Sequence, residues 1–466
     1  MHNENTTLKL ANFVVTVKAE DIPAELKAQM SLHAIDTVAV GLVGAMRPLS
    51  HRVRTYGKVR QNGVATDKAY IWGTTIEGNP CDVAFINGVS SHSIEFDDTH
   101  GCDHSGAVVI PALMGALPYL KKDPTTDEFL TAMILGYEVA RRMQIAFGGY
   151  AKLNEKGWHS TSICGPIGAV CAVSRLLRLS YDEVAAAIGI CSSMLSGTWS
   201  FSSGKGDNKA LHAGLAAKNG LESVLMAKSG IKGTLDTFEL VWGGIVKTYS
   251  GSEGNVSELT NTLGYKWHAK DARIKLYPSC ASSHPIIHAF ENQLNSYTYV
   301  ENSSIKAISI WVSDIVNSMC GESDIKELNT PSSRQMSIPY SLALLMTQGV
   351  IRLSDYWTIP DSSPRVEDVL QLITVYIDPE YDGASGNGKF MIVSDTKNEI
   401  VYTKFDDSNL QYPWIENMAL SKIRNLMKEF NYNDEAEELT DLYKKLPTNF
   451  PLRLNKLTQI TPVTKT

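Results

Sequence analysis

The chain has 466 residues, 43% of them apolar and 20% charged, with a formal net charge of −7. That length predicts about two or three domains of soluble globular character, and the acidic balance gives no electrostatic footprint for nucleic acid. MHNENTTLKLANFVV lacks the basic leader and long apolar core of a signal peptide, and no run approaches the ~18 apolar residues of a spanning helix. The expected setting is therefore the cytoplasm or an equivalent aqueous compartment, without membrane contact.

From the N-terminus, Pro23 to Val43 places Leu26, Met30, Ile35, Val38 and Leu42 near the helical period, with Pro23 where a missing N–H costs nothing. His33 and Asp36 read as ordinary residues of that helix. Arg47 to Lys68 reads as a polar connection, and Tyr70 to Gly73 as punctuation. Pro80 to Ile94 is apolar or small nearly all round, as a helix buried on every side would be. Thr125 with Glu128 forms a capping-box start for a helix through Phe147. Arg141 and Arg142 lie in its last turns, where cations suit the helix dipole. Small residues dominate Gly165 to Ala172, Ser180 with Glu183 caps a helix over Tyr181 to Cys191, and Asp207 to Lys228 forms another long helix.

The character changes near Arg273. Lys306 to Ser313, Leu372 to Ile377, Lys389 to Ser394 and Glu399 to Phe405 alternate as strands, the last two joined through Asp395-Thr396-Lys397-Asn398 as a hairpin. Ser337 to Thr347 reads as helix, and Tyr412 to Leu446 returns to helix. The expected fold is mainly α with an α+β part. A large helical domain (1–269) is completed by a C-terminal helical part (407–466) after an inserted α+β domain (270–406).

One stretch carries most of the chemistry. Ser91 to Gly106, SHSIEFDDTHGCDHSG, contains His92, His100, His104, Glu95, Asp97, Asp98, Asp103, Cys102 and Thr99 between two apolar segments. A solvated loop also collects Asp, Ser and His, but the flanking segments force this one to the edge of a core. There, shifted proton affinities favour general acid and base chemistry. The seven cysteines include no C-x-x-C pair, so they read as free thiols and not as a disulfide or metal framework.

Three further segments look like site pieces: Gly157-Trp158-His159-Ser160-Thr161, the helix start Lys209 to Gly220, and Arg273 to His284, which carries Lys275, Cys280 and His284. Together with Glu95 to His104 they fit a cleft between two domains that neutralises carboxylates and moves a proton. The expected substrate is a small di- or tricarboxylate. His100 and His104, four apart beside Asp97, would offer a divalent-ion site if they lay on one helix; a loop exit disfavours that.

In order along the chain, Ile94-Glu95-Phe96-Asp97-Asp98-Thr99-His100 with His104, Gly136 to Ala140, Gly157 to Thr161, Lys209 to Gly220, and Lys275-Leu276-Tyr277-Pro278-Ser279-Cys280 ending in His284 resemble the MmgE/PrpD family. That family includes 2-methylcitrate dehydratase, cis-aconitate decarboxylase and iminodisuccinate epimerase. The resemblance implies a helical domain plus a lid domain, a homodimer, and catalysis with no metal and no organic cofactor. It places His104 as the principal proton-transfer residue and His159, Lys209 and Lys275 at substrate-binding positions. Glu95 and Thr99 shape the pocket, and Cys280 and His284 belong to its substrate-binding segment. Lys209 and Lys275 would pair with carboxylates and stabilise enolate-like charge, and His159 would be the acid for a departing hydroxyl if the reaction were a dehydration.

The sequence departs from the family pattern at Glu95, commonly Asp, and at Ser105, often Pro after the histidine. Arg273-Ile274-Lys275-Leu276-Tyr277 and Gln335-Met336-Ser337 look more like the fungal cis-aconitate decarboxylases. Decarboxylation is thus the first expectation. Dehydration of a 2-methylcitrate-type acid, epimerisation of an imino diacid, and a non-catalytic carboxylate-binding homologue are the alternatives.

Overall fold

Ten helices build the first part of the chain in the computed structural model, which describes residues 5–60, 67–203, 206–296, 305–358, 363–395, 398–403 and 414–460. They are α1 (Thr6–Thr16), α2 (Ala24–Gly44), α3 (Pro48–Arg60), α4 (Pro80–His92), α5 (Gly106–Ala116), α6 (Thr126–Ala146), α7 (Gly149–Glu155), α8 (Ser160–Leu176), α9 (Tyr181–Cys191) and α10 (Asn208–Lys228). The reciprocal caps expected for α6 and α9 are formed; each satisfies two N–H groups that a helix start otherwise leaves without partners.

Two compact units emerge, one made of Met1–Ile274 with Glu416–Thr466 and the other of Lys275–Ile415. In the first, α4 is buried along its whole length because α2, α5 and α10 surround it. The crossing with α10 depends on glycine: a Cβ on Gly88 would lie 2.8 Å from Gly214 Cα, and one on Gly214 would lie 2.4 Å from Phe85 O. This close approach brings the start of α10 beside the end of α4, where the histidine and acid cluster begins. Two-residue ladders β1 (Ala69–Tyr70) with β2 (Glu77–Gly78), and β3 (Asp98–Thr99) with β4 (Arg273–Ile274), are antiparallel.

The second unit holds a four-stranded sheet of β5 (Ile305–Val312), β6 (Ile373–Ile377), β7 (Gly388–Ser394) and β8 (Asn398–Thr403), in the order β6-β5-β7-β8. β5 and β6 are parallel and the other pairs antiparallel. Helices His284–Ser296 and Ile338–Gln348 close one face, so that Ile286, Ile287, Phe290, Ile338 and Leu342 share a core with Ile308, Ile310, Phe390 and Ile392. The alternation read in these strands is this inward set. The hairpin of β7 and β8 forms, while the expected turn residues Thr396 and Lys397 lie outside the described residues.

One expectation needs correction. The polar stretch after Arg47 is largely helix α3, whose buried positions among the described side chains (48–57) are Ser50, Val53 and Gly57; so narrow an apolar stripe leaves little periodic signal. The C-terminal helical stretch is two helices, Trp414–Glu429 and Asn433–Lys445, broken where Asn431 takes a left-handed φ of 65°.

Candidate active site

Residues 93–105 leave α4 and return as α5. The loop holds three non-glycine residues in the left-handed region, Glu95 (φ 53°), His100 (φ 62°) and Asp103 (φ 93°). Such conformations cost on the order of 1–3 kcal/mol each and persist where surrounding contacts over-determine them. Asp98 supplies several of those contacts. Its Oδ1 accepts from Gly106 N at 2.8 Å, and its Oδ2 accepts from Tyr137 Oη at 2.7 Å and faces His33 Nδ1 at 3.1 Å.

His104 is buried and doubly fixed. Its Nδ1 lies 2.8 Å from the Asp98 main-chain carbonyl and 3.1 Å from Asp97 Oδ2. A carbonyl only accepts, so Nδ1 carries the proton and Nε2 is left with its lone pair. That Nε2 faces Asp103 Oδ1 at 3.5 Å. Asp97 also accepts from His92 Nδ1 at 3.0 Å, so one buried carboxylate bridges two histidines whose rings are 4.1 Å apart. Burial works to raise the Asp97 carboxyl, but His92 and His104 hold it well below the usual carboxylate range.

His159 caps α8 from a turn in which Trp158 pairs with Thr198, and its own N–H donates to Gly197 O at 3.1 Å. Its ring stands among Trp199 at 5.6 Å, Phe201 at 5.1 Å and His212 at 5.2 Å. Its Nδ1 is 3.0 Å from His212 Nδ1, and its buried Nε2 makes no hydrogen bond among the described residues, lying 3.6 Å from Asp103 Oδ2. Burial in this cage lowers His159 to about 3, against the pull of Asp103, and lowers His212 to about 4. Both imidazoles are neutral at pH 7. Burial alone would raise Asp103, yet His104, His159 and Lys209 together bring it below its ordinary value.

Lys209, in the first turn of α10, reaches Glu95 Oε1 at 2.5 Å. Thr99 lies in β3, and its hydroxyl faces Asp103 Oδ1 at 3.5 Å. The first unit therefore brings together Glu95, Thr99, His104, His159 and Lys209. The other three anticipated residues belong to the second unit. Lys275 is buried there, Cys280 donates its N–H to Gln335 O at 3.0 Å, and His284 opens a helix with its ring edge-on to Tyr277 at 5.3 Å. Arg142, at the end of α6, is buried, bonded to Glu138 at 2.6 Å and to the carbonyls of Asn261 and Lys266.

His92 and Asp97, within the Ser91 to Gly106 stretch, and His212, within the Lys209 to Gly220 segment, extend the site beyond the residues to which the resemblance gave a role. His212 carried a readable signal, since it sits three positions after Lys209 on one helical face. Two overlapping triplets, His92/Asp97/His104 and Asp103/His104/His159, bring potential ligand atoms within 4.8 Å of one another. In the first, both Nδ1 atoms are already engaged with Asp97, and the His104 one is an N–H donor. The geometry is that of a hydrogen-bonded cluster. The i, i+4 pair of His100 and His104 does not arise, because His100 is exposed on a non-helical turn.

Two family models match the chain, the MmgE/PrpD N-terminal domain over residues 8–256 and the MmgE/PrpD C-terminal domain over residues 277–445. The chain is 27% identical to a cis-aconitate decarboxylase-like protein of Aspergillus oryzae, the match covering 81% of each chain. It is 26% identical to a cis-aconitate decarboxylase of Aspergillus terreus over 98% of this chain and 94% of that one. A cis-aconitate decarboxylase of Mus musculus is 23% identical over 95% of this chain and 91% of its own length. With both family domains matched in order along it, the chain belongs to the MmgE/PrpD family, and its relatives mark it as an enzyme of the lyase kind.

Proposed function

We propose that this protein is a lyase that decarboxylates a small polycarboxylate, cis-aconitate or a close analogue, by proton transfer at the carbon α to a carboxylate. The observation that carries the reading is His104, its Nδ1–H committed to the Asp98 carbonyl and its Nε2 facing Asp103 Oδ1 at 3.5 Å, in the loop whose Glu95 holds Lys209.

In the proposed reaction the C–C bond to one carboxylate breaks and CO₂ leaves. The bonding pair moves through the adjacent double bond into an enolate, and the carbon α to a remaining carboxylate takes the Nε2 proton of the His104 imidazolium. Lys209 stabilises the charge on that enolate, an electrostatic contribution that counts for more in a water-poor site. Solvent then re-protonates His104.

The state of His159 argues against it as the acid of a dehydration. A departing hydroxide needs an acid, and an imidazole held neutral to about 3 by its aromatic cage has no proton to spare near pH 7; it suits substrate positioning. Decarboxylation asks for one proton donor, and His104 fills that role. The relatives named as cis-aconitate decarboxylases support the same choice.

Proton NMR in D₂O of the purified protein with cis-aconitate, 2-methylcitrate and iminodisuccinate, beside His104→Ala, tests the reading. A decarboxylated product carrying one new deuterium, absent with the variant, is the expected result. Water loss from 2-methylcitrate or α-proton exchange in iminodisuccinate, without decarboxylation, would replace it with the dehydratase or epimerase alternative. Saturable binding of all three without turnover would favour a carboxylate-binding homologue.

A further inference from the structure

A lysine more than 300 positions downstream of the histidine and acid loop reaches into it. Lys422, on the Trp414–Glu429 helix of the first unit, is buried. Its Nζ lies 2.8 Å from Asp36 Oδ1 and 3.0 Å from Asp36 Oδ2. It also donates to the main-chain carbonyl of Phe96 at 2.5 Å and stands 4.2 Å from the centre of the Phe96 ring.

The bonded carbonyl has a telling position. Phe96 follows Glu95, whose φ of 53° is the first strained torsion of the loop, and precedes Asp97. Glu95 is the partner of Lys209, and Asp97 is the partner of His92 and His104. One hydrogen bond thus pins the peptide between the two carboxylates that set the charge and orientation of the site. Asp36 holds the lysine from α2, and His33, one helical turn away, holds Asp98 from the same helix. An ion pair this deeply buried is weak support for stability, since removing two charges from water costs several kcal/mol per ion. It is a good device for fixing one geometry.

We infer that Lys422 is a positioning residue of this site: by anchoring the Phe96 carbonyl against α2 it holds Glu95 and Asp97 in register with Lys209 and His104. The inference builds on the proposed chemistry but concerns the loop, so it has a readout that needs no substrate.

The test compares wild type, Asp36→Asn, and the double variants D36N/K422M and D36N/K422Q, which remove the buried charge pair together and so avoid leaving either ion alone. Thermal unfolding checks the fold, and use of both methionine and glutamine guards against one variant failing to fold. Expected are melting midpoints at or above that of Asp36→Asn, which takes away the lysine's carboxylate alone, with kcat reduced roughly 10- to 100-fold from wild type, as small misplacements of catalytic groups do. With ¹³C-histidine labelling, the His104 Cε1–H resonance, assigned by its loss in His104→Gln, is expected to move in both double variants at pH 7. Wild-type kcat with an unmoved His104 resonance in a folded double variant overturns the inference. If the wild type turns over none of the polycarboxylates, the resonance alone decides: a displaced signal sustains the positioning role while the proposed reaction falls, and an unmoved one overturns it.

Discussion

The Nδ1–H of His104 donates to the main-chain carbonyl of Asp98 at 2.8 Å, and this contact fixes which nitrogen of the imidazole can do chemistry. Replacing His104 by glutamine keeps a donor to that carbonyl and removes the titrating nitrogen. Turnover is expected to fall by roughly 10²- to 10⁴-fold, the usual worth of a positioned acid or base, with the melting midpoint little changed. Product formation by NMR beside a thermal melt checks both halves; a variant that retains more than a tenth of wild-type kcat would remove His104 from its role.

Asp97 is the second determinant of the same imidazole, and it serves His92 as well. Asp97→Asn keeps the shape but loses the charge that two buried histidines rely on. We expect kcat to fall roughly 10- to 100-fold, with stability lowered by about 1.5–3 kcal/mol per charged hydrogen bond weakened. Urea unfolding with steady-state kinetics checks this, and an effect on KM alone would contradict it.

Lys209 and Glu95 separate binding from neutralisation. Lys209→Met removes the cation that the proposed reaction assigns to a substrate carboxylate and to the developing enolate, so KM should rise and kcat fall together, kcat by roughly 10²-fold. Glu95→Gln leaves the cation in place, and its loss should be smaller by at least about tenfold, since a neutral amide still hydrogen-bonds the lysine. Kinetics on the two single variants rank them; the reverse order would move the substrate's anchor away from Lys209.

How far the site was legible follows from how its contacts lie along the chain. Glu95 to His104 stood out because nine chemically active residues fall within sixteen positions between apolar runs. His159 and Lys209 stood out through short local motifs, and the fold class came from a change of period near Arg273. Asp36 and Lys422 gave no such signal. Each sits where an amphipathic helix would place any residue, and their meaning lies in a pairing across 386 positions. Likewise the caging of His159 by Trp199 and Phe201 depends on a turn packing onto α8, and proton affinity follows that packing, not residue type. Helix α3 escaped because a surface helix with three buried positions among its described side chains carries almost no hydrophobic period.

Chelation provides a check on the hydrogen-bonding reading of the two histidine and carboxylate triplets. With both Nδ1 atoms of the first triplet already engaged with Asp97, turnover is expected to survive prolonged dialysis against EDTA with less than about a twofold change, far from the loss that removing a catalytic Lewis acid causes. Loss of activity restored by one divalent ion would assign the triplets to a metal instead.

The stability of the fold should depend on acidity through the buried histidines before the carboxylates contribute. In the native state His159 is held to about 3 and His212 to about 4, with burial the main cause in each case, whereas an unfolded histidine titrates near 6.5. Between those values the unfolded chain binds more protons than the native one, so stability rises with pH and is lost as pH falls below about 6.5. Asp97 and Asp103 are displaced downward; their contribution is complete above the unfolded carboxylate value of about 3.9 and is lost only below it. Melting midpoints from pH 7.5 to 4.5 should therefore decline steadily from about pH 6.5 downward, and His212→Gln should flatten that slope while changing the midpoint at pH 7.5 far less. A slope that begins only near pH 4, unchanged in the variant, would mean that His159 and His212 are solvated and charged in the native protein, and with that the neutral role given to His159 would go.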